Sequence, residues 1–129
     1  MIVGLGVDSF DVDRIEAELR ADGPAFLAQV FTPVEIAECR AQRRPAAQCA
    51  ARFAAKEALL KALAPPRSGD LPLLWRDIAV CRGAGGRHDV RLDGRVRALA
   101  AQRGVARILL SIALTRDVAI ASVVLESYP

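Results

Sequence analysis

Residues 46–64 constrain the fold most strongly, because alanine and leucine dominate a stretch that holds no glycine or proline until Pro65-Pro66 stops it. The spacing predicts one long helix there. Its centre reads Arg52-Phe53-Ala54-Ala55-Lys56-Glu57-Ala58-Leu59-Leu60-Lys61-Ala62-Leu63. At about 100° per residue, Glu57 falls about 40° from Phe53 and about 60° from Leu60, so it borders the apolar face. A carboxylate in that position needs a partner. Lys61, one turn on, supplies either a solvated ion pair contributing about 0.2–0.5 kcal/mol or a cation beside a reactive carboxylate.

The remaining elements follow from local signals. Ile2 to Val7 reads as a buried strand, ended by Asp8, with glycines on a side that another backbone approaches closely, opposite the core. Phe10, Val12, Ile15 and Leu19 recur at helical spacing until Asp22-Gly23-Pro24 breaks the helix, and a short helix is expected at 24 to 30. Thr32-Pro33-Val34-Glu35 is a capping box that opens a third helix at about 33 to 42. Residues 67 to 72 read as a loop. Ile78 to Cys81 and Asp89 to Leu92 then flank Gly83-Ala84-Gly85-Gly86, a hairpin connection. Residues 94 to 103 have a helical pattern with Gly104 as a C-cap, and Val105 to Ala113 and Val118 to Leu125 form a closing hairpin through Thr115-Arg116-Asp117. The order implies an α+β fold in which a mostly antiparallel sheet packs against helices, as a single domain over residues 1–129. Its apolar strands are enough surface to expect an oligomer.

Composition narrows the function. No apolar run approaches the ~20 residues of a membrane span and the start lacks a basic n-region, so a cytoplasmic protein is expected. Cys39, Cys49 and Cys81 form no C-x-x-C and accompany only His88, which points to idle thiols rather than a disulfide framework or zinc site. The 18 basic residues include two lysines, Lys56 and Lys61, the rest being arginine, which suits phosphate or carboxylate ligands. With only 5% aromatic residues there is no interleaving of rings and charges for nucleic acid.

Segments along nearly the whole chain resemble the holo-acyl carrier protein synthases, the small class of 4'-phosphopantetheinyl transferases. They are Val3-Gly4-Leu5-Gly6-Val7-Asp8, Arg14-Ile15, Phe31-Thr32-x-x-Glu35, Arg52 to Leu63, Trp75-Arg76-Asp77-Ile78, Gly86-Arg87, and Ser111-Ile112 with Ala119 to Glu126. The resemblance implies the 4'-phosphopantetheinyl transferase-like fold and transfer of the 4'-phosphopantetheine arm of coenzyme A to a serine of an acyl carrier protein. It also implies magnesium and a homotrimer with active sites between subunits. Asp8 and Glu57 match the metal ligands, and the hard cation suits charge developing on phosphoryl oxygens. For Asp8 a plain strand-end or cap role stands beside this.

By the same resemblance, Glu57 takes the serine proton, directly or through water, and Lys61 stands near the reacting phosphate. Lys56 lies near phosphate or is simply solvated. Arg44, Arg52, Gly85, Gly86, Arg87 and Ser111 fall where the family grips coenzyme A, with a plain hairpin turn as the lesser reading of the glycine loop. Arg14 and Arg20 project from the helix that meets the carrier protein, or are ordinary solvated arginines. One departure stands out. The family's Ser-x-Ser-His is here Ser111-Ile112-Ala113-Leu114, and losing such a group commonly costs ~2–4 kcal/mol, roughly 10²–10³ in rate. A weakened or inactive member that still binds coenzyme A or a carrier protein is the alternative.

Overall fold

A computed structural model describes residues 1–66 and 71–129. Strand β1 (Ile2–Asp11) leads into α1 (Val12–Val30), α2 (Pro33–Arg40) and α3 (Pro45–Leu63). A 3₁₀ helix (Leu71–Asp77) precedes β2 (Ile78–Arg82) and β3 (His88–Leu92), followed by α4 (Gly94–Gln102), β4 (Val105–Leu114) and β5 (Val118–Ser127). The sheet order is β1-β5-β4, all antiparallel, with β2 and β3 forming a separate two-stranded hairpin. The loop expected at 67 to 72 falls mainly on 67–70, outside the described residues, and its end already belongs to the 3₁₀ helix.

Local chemistry sets most element ends. Thr32 accepts the Glu35 N–H while Glu35 accepts the Thr32 N–H at 2.9 Å, completing the capping box of α2. Within Val12–Val30 the backbone leaves helical geometry at Asp22 (φ −155°, ψ 78°), and Asp22 Oδ1 accepts the Ala25 N–H, so α1 is two helical segments joined across a kink at Asp22, as the Asp22-Gly23-Pro24 break and the short helix after it led one to expect. Gly104 closes α4 at φ 72°, where a side chain would be strained.

β1 corrects two expectations. It continues past Asp8 to Asp11, because Ser9, Phe10 and Asp11 pair with Ile120, Ala119 and Val118 of β5. Its glycines face the core, not the side away from it. A Cβ on Gly6 or Gly4 would collide with the carbonyl oxygens of Ala58 and Ala62, so these positions let the backbone of α3 settle directly on the sheet. The aliphatic residues therefore point outward: Leu5 is 66% and Val7 54% exposed.

α3 is the axis of two apolar clusters. Ala54, Ala58, Leu59 and Leu63 join the hairpin, α4 and the sheet on one flank. Ala47, Ala50 and Phe53 join α1 and α2 on the other. No helix among the described residues is long and apolar enough to cross a membrane.

Candidate active site

Residues distant in sequence meet where β1 runs under α3. Lys61 donates to Asp8 Oδ1 at 2.7 Å and to the Val7 carbonyl at 3.1 Å. Lys61 is 55% exposed, so the pair adds at most about 0–1 kcal/mol to stability, too little to account for a carboxylate on the core-facing side of a strand. The i,i+4 pair between Glu57 and Lys61 is not formed. Glu57 accepts the Trp75 indole N–H at 2.7 Å instead. Each carboxylate has thus committed one oxygen, and among the described residues Asp8 Oδ2 and Glu57 Oε2 accept no hydrogen bond. One or two carboxylates, with waters completing the coordination, are the donor set a hard divalent cation such as magnesium takes.

A second cluster lines a cleft of about 690 Å³ between β4 and the β2–β3 hairpin. Gly86 and Arg87 form one wall, Ser111 and Leu114 the other, and Gln48 and Ala51 of α3 the floor. Gly85 and Gly86 take positive φ values of 73° and 78°, which tightens the turn and leaves its backbone bare. As the outer strand of its sheet, β4 carries backbone groups with no ladder partner on the cleft side. The cleft therefore offers Arg82, Arg87, a glycine turn and a hydroxyl to an anionic ligand.

The two clusters lie on opposite flanks of α3. Glu57 follows Gln48 by nine residues, which at about 100° per residue turns it about 180° around the helix. Asp8 stands on β1 and Ser111 on β4, the two outer strands of the sheet with β5 between them.

Two sequence-expected ligands are enclosed rather than presented. Lys56 is 0% exposed and donates to the Val30 carbonyl, Glu35 Oε1 and the Trp75 carbonyl at 2.7, 2.7 and 3.0 Å. All three ammonium protons are used, so neither the phosphate contact nor the solvated side chain expected for Lys56 fits. Burial pulls its pKa down, and Glu35 works against that pull. Arg52, also buried, donates to the Val80 carbonyl, to Gln48 and to Glu38 Oε1, tying α3 to β2 and α2. It supports the cleft from behind and does not line it. Burial would raise the Glu38 carboxyl, but the Arg82 N–H and Arg52 outweigh that and hold it below its ordinary range.

Arg44 is exposed at the N-terminus of α3 and donates to the Arg116 carbonyl in the β4–β5 turn. Arg14 and Arg20 are exposed on α1, with the Arg14 guanidinium 5.0 Å from the centre of the Phe10 ring. His88 lines the cleft with Leu114. Burial first, then the charges of Arg52 and Arg82, lower its pKa against the opposing pull of Glu38, so the imidazole is neutral near pH 7. The sequence did not single out Trp75 as a partner of Glu57, nor Arg82 and Gln48 as cleft residues. The hairpin register that pairs Arg82 with His88 is the signal that could have found Arg82.

Comparison with known proteins agrees over the whole length. Residues 4–123 match the family model of the 4'-phosphopantetheinyl transferase superfamily. A holo-[acyl-carrier-protein] synthase of Anaeromyxobacter dehalogenans is 45% identical over 130 residues, covering 98% of this chain and 97% of the relative. The crystal structure of holo-[acyl-carrier-protein] synthase from Neisseria meningitidis superposes with a TM-score of 0.86 at 31% identity, covering 98% of this chain and all of that one. The ACPS–CoA complex of Chronobacterium ammoniagenes does so with 0.80 at 30% identity, covering 98% of each chain. With the capping box, the glycine-cushioned strand and the Asp8–Lys61 contact in place, the chain belongs to the 4'-phosphopantetheinyl transferase superfamily, among its holo-[acyl-carrier-protein] synthases.

Proposed function

We propose that this enzyme moves the 4'-phosphopantetheine arm of coenzyme A onto a serine of an acyl carrier protein, using magnesium and active sites shared between the subunits of a homotrimer. The observation that carries this is the contact of Lys61 with Asp8, which joins β1 to the helix that also carries Glu57 one turn before Lys61, with an oxygen of each carboxylate left without a hydrogen bond among the described residues. Asp8 and Glu57 would hold the magnesium, which when bound would neutralise charge on the pyrophosphate. Glu57, or a water bound to it, accepts the proton of the serine hydroxyl as the oxygen attacks phosphorus. Lys61 lies close enough to Asp8 to place its ammonium against the developing phosphoryl charge. Adenosine 3',5'-bisphosphate leaves, its phosphates matched by Arg87, Arg82, Ser111 and the Gly85-Gly86 turn of the cleft.

A trimer reconciles this chemistry with the separation of the two clusters. An interface that sets the β1 side of one subunit against the β4 side of the next is heterologous, and it closes into a ring. Leu5, Val7, Leu109 and Ile120 provide exposed apolar surface for such contacts. Exposed Arg14 and Arg20 offer charge to an acidic carrier protein, which governs encounter more than affinity.

Intact-protein mass spectrometry of an apo carrier protein incubated with coenzyme A, magnesium and this protein tests the proposal. The expected result is a mass gain of one phosphopantetheine that requires magnesium. Leu114 favours a second reading, a binder that has lost turnover, and that reading is supported if coenzyme A binds while the carrier mass never changes.

A further inference from the structure

Asp8 and Glu57 are held by different chemistry. Asp8 is held by an ammonium group, whereas Glu57 is held by a neutral indole. Two carboxylates and one ammonium leave a single net negative charge, which a second cation beside Glu57 would have cancelled. A neutral donor fixes geometry without removing the charge that attracts a dication.

Trp75 is itself immobilised. Its ring packs on Phe53 at a centroid distance of 5.2 Å, and its carbonyl accepts from Lys56. Lys56 is bound to Glu35 with both side chains fully enclosed, and Glu35 also accepts the backbone N–H groups of Thr32 and Val80. A chain of bonds thus runs from α2 through Glu35, Lys56 and Trp75 to Glu57.

We propose that Trp75 is a positioning residue for Glu57: its indole N–H holds Oε1 in place and leaves Oε2 as the oxygen that takes the divalent cation. This rests on the proposal that Asp8 and Glu57 bind magnesium. It also makes Trp75, the sole tryptophan of the chain, an intrinsic reporter of the site.

The test has two arms. Trp75→Phe keeps a six-membered ring against Phe53 and deletes the donor together with the five-membered ring that carries it. Its magnesium dissociation constant, measured by calorimetry, is expected to rise roughly 10- to 100-fold. The thermal midpoint and the KM for coenzyme A should stay near the parent's, and kcat at limiting magnesium should fall. In the second arm, magnesium added to the unmodified protein should change Trp75 emission with the calorimetric midpoint, and Glu57→Gln should abolish that change. Parent-like magnesium affinity in a folded Trp75→Phe protein overturns the proposal, as does unaltered emission through saturation. If Trp75→Phe does not fold, the emission arm decides. Should either arm fail while the carrier protein is still modified, the positioning role falls and the transferase stands. Should the parent neither bind magnesium nor modify a carrier, both fall.

Discussion

Lys56 and Lys61 stand five positions apart on one helix and have opposite fates. Lys56 is sealed against Glu35 in the core, while Lys61 reaches solvent beside Asp8. Removing one member of a fully buried pair leaves the other charged and unpaired, so Lys56→Met should cost about 3–5 kcal/mol of stability in a denaturant titration. Lys61→Ala should lower unfolding free energy by no more than about 1 kcal/mol, as a half-exposed pair allows, while transfer slows. Asp8→Asn and Glu57→Gln should each abolish transfer in a folded protein, a larger loss than Lys61→Ala, because each would remove a proposed metal ligand. A Lys56→Met protein with unchanged stability and a raised KM for coenzyme A would return that lysine to the phosphate site. Leu114 poses the other question at this scale. It is 39% exposed and lines the cleft, so it is not a core residue, and its replacement need not bury an imidazole. Ala113→Ser with Leu114→His should therefore raise kcat with little change in thermal midpoint, by up to the roughly 10²–10³-fold that one donor at developing charge supplies. No gain in a folded double variant would show that the missing histidine does not limit turnover.

β1 and α3 define each other through two glycines. Because the carbonyl of Ala58 occupies the space a Gly6 side chain would need, Gly6→Ala must push helix from sheet or twist the strand. Overpacking of this kind costs typically about 1–3 kcal/mol, and the shift would also separate Asp8 from Lys61. Denaturant midpoint and transfer rate should fall together in Gly6→Ala, and a drop in neither would mean that the contact is soft. The same pair of elements marks how far the sequence was legible. The capping box of α2, the kink at Asp22, the glycine at 104 and both hairpins depend on neighbours within a few residues, and all were readable. The extension of β1 to Asp11 was not, since its partner strand begins at Val118. The enclosure of Lys56 and Arg52 was equally hidden. Helical spacing places them on α3, but Glu35, Glu38 and Val80 arrive from other elements to bury them. Trp75 stands in the Trp75-Arg76-Asp77-Ile78 segment, yet only folding brings its N–H to Glu57.

At the scale of the molecule, one chain carries two polar clusters on opposite flanks of α3, which the proposed trimer would make halves of shared sites. Docking is the first consequence. Reversing Arg14 and Arg20 to Glu should raise the carrier-protein KM and flatten its salt dependence while coenzyme A binding is unchanged. An unaltered KM would place the carrier elsewhere. The second consequence separates a shared site from a site within one chain. Asp8→Asn disables the half carried by β1 and α3, and Arg87→Ala weakens the half carried by the cleft, so each variant alone should be poorly active. When the two are mixed 1:1, denatured and refolded together, the proposed heterologous ring would pair the β1 side of one subunit with the cleft of the next. Random assembly then gives about a quarter of the interfaces two intact halves, and transfer should recover toward about a quarter of the parent rate. If each site were built from one chain, every site in the mixture would carry one lesion and nothing would be regained. Adding Leu5→Asp to both variants should abolish the recovery, because Leu5 is exposed on the outer face of the sheet that the ring would cover. Size exclusion of that variant should show the 13.8 kDa chain alone, whereas the parent should elute at three times that mass.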